Sequence, residues 1–333
     1  RMMGASFHSM EFSRFRRILL LLSGLFLLVW LIPLLAHSEE NQAVEQLEKI
    51  IEKPKAVRKN LKDEGILFEA TNTMDILSNV SGGIQRKTAL TGDLDLLLTL
   101  DIKRLIPNWK GTVFLYGLGL YGDNPSQNVG DIQGVSNIAA QNTWKLFEAW
   151  YQHNLFQRFS LLAGLYDVTS EFDVIVSAST LFLNSSFGTG AEFAASGQNG
   201  PSTFPSSALG VRAQAILTDS LMVRAVLADG VPGNPNNAHG THIHLNKDDG
   251  LFGSMELAYY QYRKEDLTET KKEIVKESPR RLTFRRIGRS APIEYEEKVA
   301  LGFWGYTTSL DQLNKVNSSG EPENNMAATA CMG

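Results

Sequence analysis

The chain has 333 residues, with 32 Lys and Arg against 36 Asp and Glu for a net charge of −4. That balance excludes a nucleic-acid binder that works through bulk positive charge, and a content of 43% hydrophobic and 20% charged residues excludes both a disordered chain and a polytopic helical membrane protein. A mean hydropathy of −0.14 fits a soluble globule and an outer-membrane β-barrel equally, because the lumen of a barrel is polar. The single cysteine, Cys331, leaves no internal disulfide and no cysteine metal cluster.

At the N-terminus, Arg14, Arg16 and Arg17 precede an apolar run from Ile18 to Leu35, and Ala36-His37-Ser38 follows it. A basic segment, an apolar segment and small residues at −3 and −1 make a secretory signal peptide over 1–38, cleaved after Ser38. The alternative is an uncleaved anchor, since the run approaches the length that spans a bilayer. Both readings export the body of the chain.

Residues 39–64 form a charged, helix-friendly leader. Val44, Leu47, Ile50 and Ile51 make a narrow apolar stripe that Pro54 ends. The stripe suits a solvated leader or a short periplasmic helix.

From Gly65 the period changes to two. Leu94, Leu96, Leu98 and Leu100 fall on one face of an extended chain and Asp93, Asp95, Thr99 and Asp101 on the other. A second run starts near Gly111, and further strand-like runs fall at 144–153, 159–167, 208–218, 220–229, 250–262 and 297–307. Turn sequences such as Thr218-Asp219-Ser220 and Gly230-Val231-Pro232-Gly233 separate several of them. The chain is therefore all-β, with about eight to ten legible strands.

Val211, Ala213, Ala215 and Leu217 share a face, as do Leu221, Val223, Ala225 and Leu227, while Arg212, Gln214 and Arg224 lie opposite. A sandwich would bury the apolar face in a core, and a membrane barrel would turn it to lipid. Alternation alone does not separate them. Export, strand length and long Gly/Asn/Ser loops favour the barrel.

Several motifs occur in order between Gly82 and Tyr260: GGIQRKTALTGDLDLLLTLDIKRLIPNWKGTVFLYGLG, KLFEAWYQ at 145–152, LLAGLYDVTSEFD at 161–173, LFLNSSFG at 181–188, STFPSSALGVR at 202–212, VLADGVPGNP at 226–235 and GTHIHL at 240–245. In these the chain resembles the OprB-type carbohydrate-selective porins of Gram-negative bacteria. The resemblance implies an antiparallel transmembrane β-barrel of about 16 strands, over residues 65–310 here. It also implies a homotrimer in contact with outer-membrane lipid and lipopolysaccharide, and a lumen for facilitated diffusion of small, glucose-like sugars. Residues 311–333, ending NNMAATACMG, show neither a strand pattern nor the terminal aromatic of the family, so the expectation is an atypical tail on a C-terminally truncated copy.

Sugars are neutral, rich in hydroxyls and apolar on their C–H faces, so a selective lumen needs opposed charges and aromatic rings. By strand phase the lumen candidates are Asp93, Asp95, Glu148, Trp150, Arg212, Arg224 and Glu256. The segment after 159–167 reads as an infolded loop that brings Glu171 and Asp173 to the constriction, or as an outer loop. Phe182, Asn184 and Phe187 are expected to pack that loop on the wall.

Three other readings stay open. One is an exported all-β carbohydrate-binding protein, another is a non-functional truncated porin. The third is a hydrolase using Glu148 and Glu171, which needs those carboxyls about 5–9.5 Å apart. His239, His242 and His244 put at most two imidazoles on one strand face, so no metal or cofactor is expected. GxSxG, Walker and HExxH signatures are missing, and no enzymatic activity is expected. The basic stretch 271–289 reads as a solvated connector or a lipopolysaccharide contact.

Overall fold

Two-residue alternation builds strands in a computed structural model that describes residues 58–106, 109–156, 158–262, 295–316, 318–319, 322–326 and 330–332. The chain divides into two compact units, Arg1–Asn60 and Leu61–Gly333. Of the first, residues 58–60 are described and are helical. The expected signal peptide, the apolar stripe of the leader and the basic stretch 271–289 lie outside the described residues.

The second unit holds β1 (Ile66–Ser78), β2 (Thr88–Asp101), β3 (Gly111–Gly122), β4 (Thr143–Leu155), β5 (Phe159–Tyr166), β6 (Ala208–Ile216), β7 (Leu221–Asp229), β8 (Leu251–Tyr262), β9 (Tyr295–Tyr306), β10 (Ser309–Val316), β11 (Pro322–Met326) and β12 (Ala330–Met332). Short helices sit between strands: α1 (Ile102–Leu105), α2 (Ser126–Val129), α3 (Val176–Leu181) and α4 (Ala191–Ala194). No described helix is long and apolar enough to cross a membrane.

Strands β1 to β9 run as an antiparallel meander in sequence order, and β12 adds to β9, giving a ten-stranded sheet. The stretch expected as a patternless tail thus contributes strands: β12 continues the sheet and β11 pairs with β10. Sequence pattern missed them because three- and five-residue segments are too short to show a period. Read as a truncated copy, the sequence leaves open whether a barrel closes. Among the described residues the sheet is open, with no pairing between β1 and β12.

Connections differ between the two ends. One end has 102–110, 156–158 and 217–220, and the other has 79–87, 123–142, 167–207 and 230–250. The 32-residue connection 263–294 between β8 and β9 belongs to the first end, so tight turns and long connections both occur there.

Side-chain parity settles which face is outside. In β6 and β7, Val211 and Leu227 are 54% and 61% exposed, while Arg212 and Arg224 on the other face are 0% and 5% exposed. The same inversion holds in β8 and β9, where Met255, Leu257, Val299, Leu301 and Phe303 point outward and Glu256 is buried. A water-soluble sandwich would reverse it, because apolar area in water costs about 25 cal/mol per Å². An apolar exterior with a charged interior is the membrane-barrel arrangement.

Exterior aromatics stand near the ends of this band. Trp144 lies over Gly119, where an added Cβ would come within 2.6 Å of the ring, and Tyr121 covers Gly92 at 2.2 Å. A side chain in either glycine's place would expel the ring, so these pairs depend on close approach.

Because Leu301 faces outward midway along β9, Leu301→Arg is expected to destabilise the chain refolded in lipid vesicles by about 2–4 kcal/mol. Urea titration checks this; an unchanged midpoint would mean that the face meets water.

Candidate functional site: a loop held on the charged inner face

The connection between β5 and β6 does not extend outward. Its neck is tied by side chain to main chain contacts. Asp167 Oδ1 accepts from Thr169 N and Oγ1 at 3.0 and 2.8 Å, Val168 N donates to the Ser202 carbonyl at 2.9 Å, and Ser202 Oγ accepts from Ala208 N at 3.0 Å. This Asx turn reverses the chain and lays Glu171, Phe172 and Asp173 on the inner face of the sheet, all buried.

Arg212 on β6 meets Glu171 there. Its Nε donates to Glu171 Oε2 at 2.8 Å and its Nη2 to Oε1 at 3.2 Å, a two-pronged pairing. The remaining donors reach Ser160 Oγ and Gln152 Oε1, both at 2.7 Å, and Tyr166 Oη donates to Glu171 Oε2 at 2.5 Å. Arg224 on β7 continues the network. Its Nη1 donates to the Glu171 carbonyl at 2.6 Å and its Nη2 to Tyr260 Oη at 3.0 Å, and its Nε lies 3.6 Å from Glu256 Oε1. Lys298 Nζ lies 3.5 Å from the same Glu256 oxygen, and Glu256 Oε2 accepts from Asp173 N at 3.1 Å. Three cations and three acids thus face one another across the loop–sheet boundary.

Apolar contacts close the other end of the loop. Phe193 on α4 packs edge-on against Trp304, with centroids 5.0 Å apart, and against Phe252 at 5.9 Å. Arg224 lies 5.9 Å from the centre of the Phe172 ring.

Asp173 adopts φ 53°, a left-handed conformation that Asp tolerates better than most residues. Its Oδ2 accepts from Gly190 N at 2.7 Å. Burial, with the Glu256 and Glu192 carboxylates adding to it, pushes the Asp173 carboxyl up to about 6, against the pull of the Gly190 amide and Lys298.

Five sequence candidates therefore come together: Arg212, Arg224, Glu256, Glu171 and Asp173. The infolded alternative for 167–173 is the one observed. Glu148 and Trp150 lie beside the loop neck, where Glu148 Oε2 accepts from Trp150 Nε1 at 3.2 Å and Asp167 N at 3.3 Å. Trp150 stacks on Phe114 with centroids 4.8 Å apart, so its ring is covered. Asp93 and Asp95 are inward on β2, four strands from β6 in the sheet order β2-β3-β4-β5-β6, and Tyr116 Oη donates to Asp95.

Phe182 and Phe187 do not pack on the wall as expected; they stack on each other, centroids 4.4 Å apart, and both remain exposed. Phe172 and Phe193 take the packing role instead. Sequence reading missed Gln152, Ser160, Tyr166, Tyr260 and Lys298, although the alternation of β4, β5, β8 and β9 places each inward.

Of the two carboxylates of the hydrolase reading, Glu171 has both oxygens engaged by Arg212 under the loop. Among the described residues no three His, Cys, Asp or Glu side chains group to hold a metal. His239 instead bonds Gln141 at 2.8 Å, and His242 Nε2 bonds the His239 carbonyl at 2.7 Å.

Removing one member of a buried ion pair leaves its partner charged and unmatched, at a cost of about 3–5 kcal/mol. Arg212→Met is therefore expected to undock the loop, read as faster hydrogen exchange and new protease cleavage within 168–195. Pairing it with Glu171→Gln should recover part of the loss. Asp173 binds its proton more tightly docked than solvated. Its contribution to docking is thus full below the ordinary carboxylate pKa and is lost as pH rises through about 6. Amides of 171–193 should then be better protected at pH 5 than at pH 7.5, after intrinsic-rate correction, and Asp173→Asn should abolish the difference.

Comparison with known proteins adds to this geometry. The solved structure of Pseudomonas putida OprB at high pH is similar, with a TM-score of 0.61 at 15% identity; the match covers 83% of this chain and 62% of that one. No curated protein matches the chain. The family model for the carbohydrate-selective porins of the OprB family matches residues 85–279, more than half of the sequence. The chain belongs to the OprB family of carbohydrate-selective porins.

Proposed function

We propose that the chain forms the wall and the constriction of an outer-membrane channel through which small, glucose-like sugars diffuse down their gradient. The observation that carries this reading is the inverted sheet: exterior side chains are apolar and exposed, the buried charges Arg212, Arg224, Glu171 and Glu256 lie inside, and a loop is bound on that inner face. Lipid outside and water inside are the solvents such a sheet needs.

In this reading the buried charges shape the passage. Arg212, Arg224 and Glu256 hold the loop, and the loop sets the bore. Asp93, Asp95, Glu148 and Trp150 support the wall from the other strands. Residues 1–38 direct export, the rim that carries 123–142, 167–207 and 230–250 meets lipopolysaccharide, and the opposite rim faces the periplasm. Trimer formation completes the assembly. Both sheet edges must also be paired in lipid, because unpaired backbone groups there cost several kcal/mol each. The exterior faces argue against a soluble sugar-binding sandwich.

Planar-bilayer conductance of the refolded chain tests the reading. The expected result is discrete steps that millimolar glucose partly blocks. Absence of steps from folded, inserted material would refute it.

A further inference from the structure

We infer that Phe182 and Phe187 form a stacking subsite for the apolar C–H face of a pyranose ring on the path through the loop. This inference rests on the channel reading above. The two rings lie 4.4 Å apart at 30° and are 49% and 45% exposed, whereas Phe172 and Phe193 of the same loop are each 1% exposed. Phe204, the fifth aromatic of the loop, packs on Phe147 with centroids 6.0 Å apart, so the loop divides its aromatics into three that anchor it and two that it displays.

The display is rigidly built. Asn184 Oδ1 accepts from Ser186 N at 3.0 Å, and Asn184 Nδ2 donates to the Gln133 carbonyl at 3.2 Å. Ser185 N donates to the Gly134 carbonyl at 3.1 Å, and Ile175 N to the Gly188 carbonyl at 3.0 Å. The segment between the rings is thus stapled to the β3–β4 loop, while Glu171 and Phe193 fasten the two ends of the same stretch to β6, β8 and β9. The stretch is held both to these strands and to the β3–β4 loop, and in the proposed subsite its two rings lie on the path of the solute.

Sugars suit such a surface. Their axial C–H bonds make one face of the ring apolar, and the hydroxyls at its edge exchange hydrogen bonds. Here the partly exposed Asn184, Ser185 and Ser186 lie between the two rings in sequence. A solute of this shape gains contact with the rings while its hydroxyls stay satisfied, as in other sugar-selective surfaces built from a few aromatics and polar groups.

The test is glucose block of single-channel current in wild type, Phe182→Leu, Phe187→Leu, the double leucine variant and Phe187→Trp. Leucine keeps an apolar side chain and removes the ring. The expected result is an apparent glucose dissociation constant raised about tenfold in the double leucine variant. Sugar-free conductance should stay within about twofold of wild type, and block should be retained by Phe187→Trp. Unchanged block in the leucine variants would overturn the subsite. So would failure of those variants to insert beside an inserting wild type, which would make the pair an assembly contact. A wild type whose conductance ignores glucose would refute the channel reading itself, and the subsite with it.

Discussion

Glu171 is carried on a loop and Arg212 on a strand, and each is buried to an extent that neither would tolerate alone. Their pairing fixes where the loop lies on the sheet, and the rest of the interior is arranged to permit it. Gln152 and Ser160 take the guanidinium donors left over, and Tyr166 donates to the acid. Arg224 grips the main chain of the same residue and hands the charge balance to Glu256 and Lys298. Desolvating so many charges is tolerable only because each meets an opposite one or a hydrogen-bond partner. Such a network favours one loop position over its near neighbours, as the proposed passage of fixed bore requires.

The exterior obeys a separate constraint that leads to the same architecture. A strand has two faces, and one of them must meet hydrocarbon. Apolar side chains at Val211, Leu227, Leu257 and Leu301 satisfy that demand and leave the opposite parity free for charge. In the proposed channel, the inward positions and the loop they hold are what a solute meets.

Much of this was legible in the sequence, and the reason is parity. Leu94 to Leu100 against Asp93 and Asp95, or Arg212 and Gln214 against Val211 and Ala213, fix both the strands and their faces. Parity does not say which face is outside, since a sandwich and a barrel share it; only the burial of Arg212 beside an exposed Val211 decides that. Loops carry no period at all. Phe172, Phe182, Phe187 and Phe193 are equivalent as letters, and their separation into buried anchors and exposed rings depends on the staple at Gly134 and on Trp304, far apart in sequence. Lys298 was a readable inward residue, yet its value as the third cation emerges only when Glu256 is known to lie beside it.

The central claim is that charge pairing holds the loop in place and that the held loop limits what passes. Liposome swelling with mono-, di- and trisaccharides, in wild type and in Arg212→Met, tests it most directly. The account predicts that wild type admits monosaccharides and discriminates sharply against larger sugars, and that the variant, with its loop released, admits all three at similar rates. Identical size profiles in both proteins would contradict it.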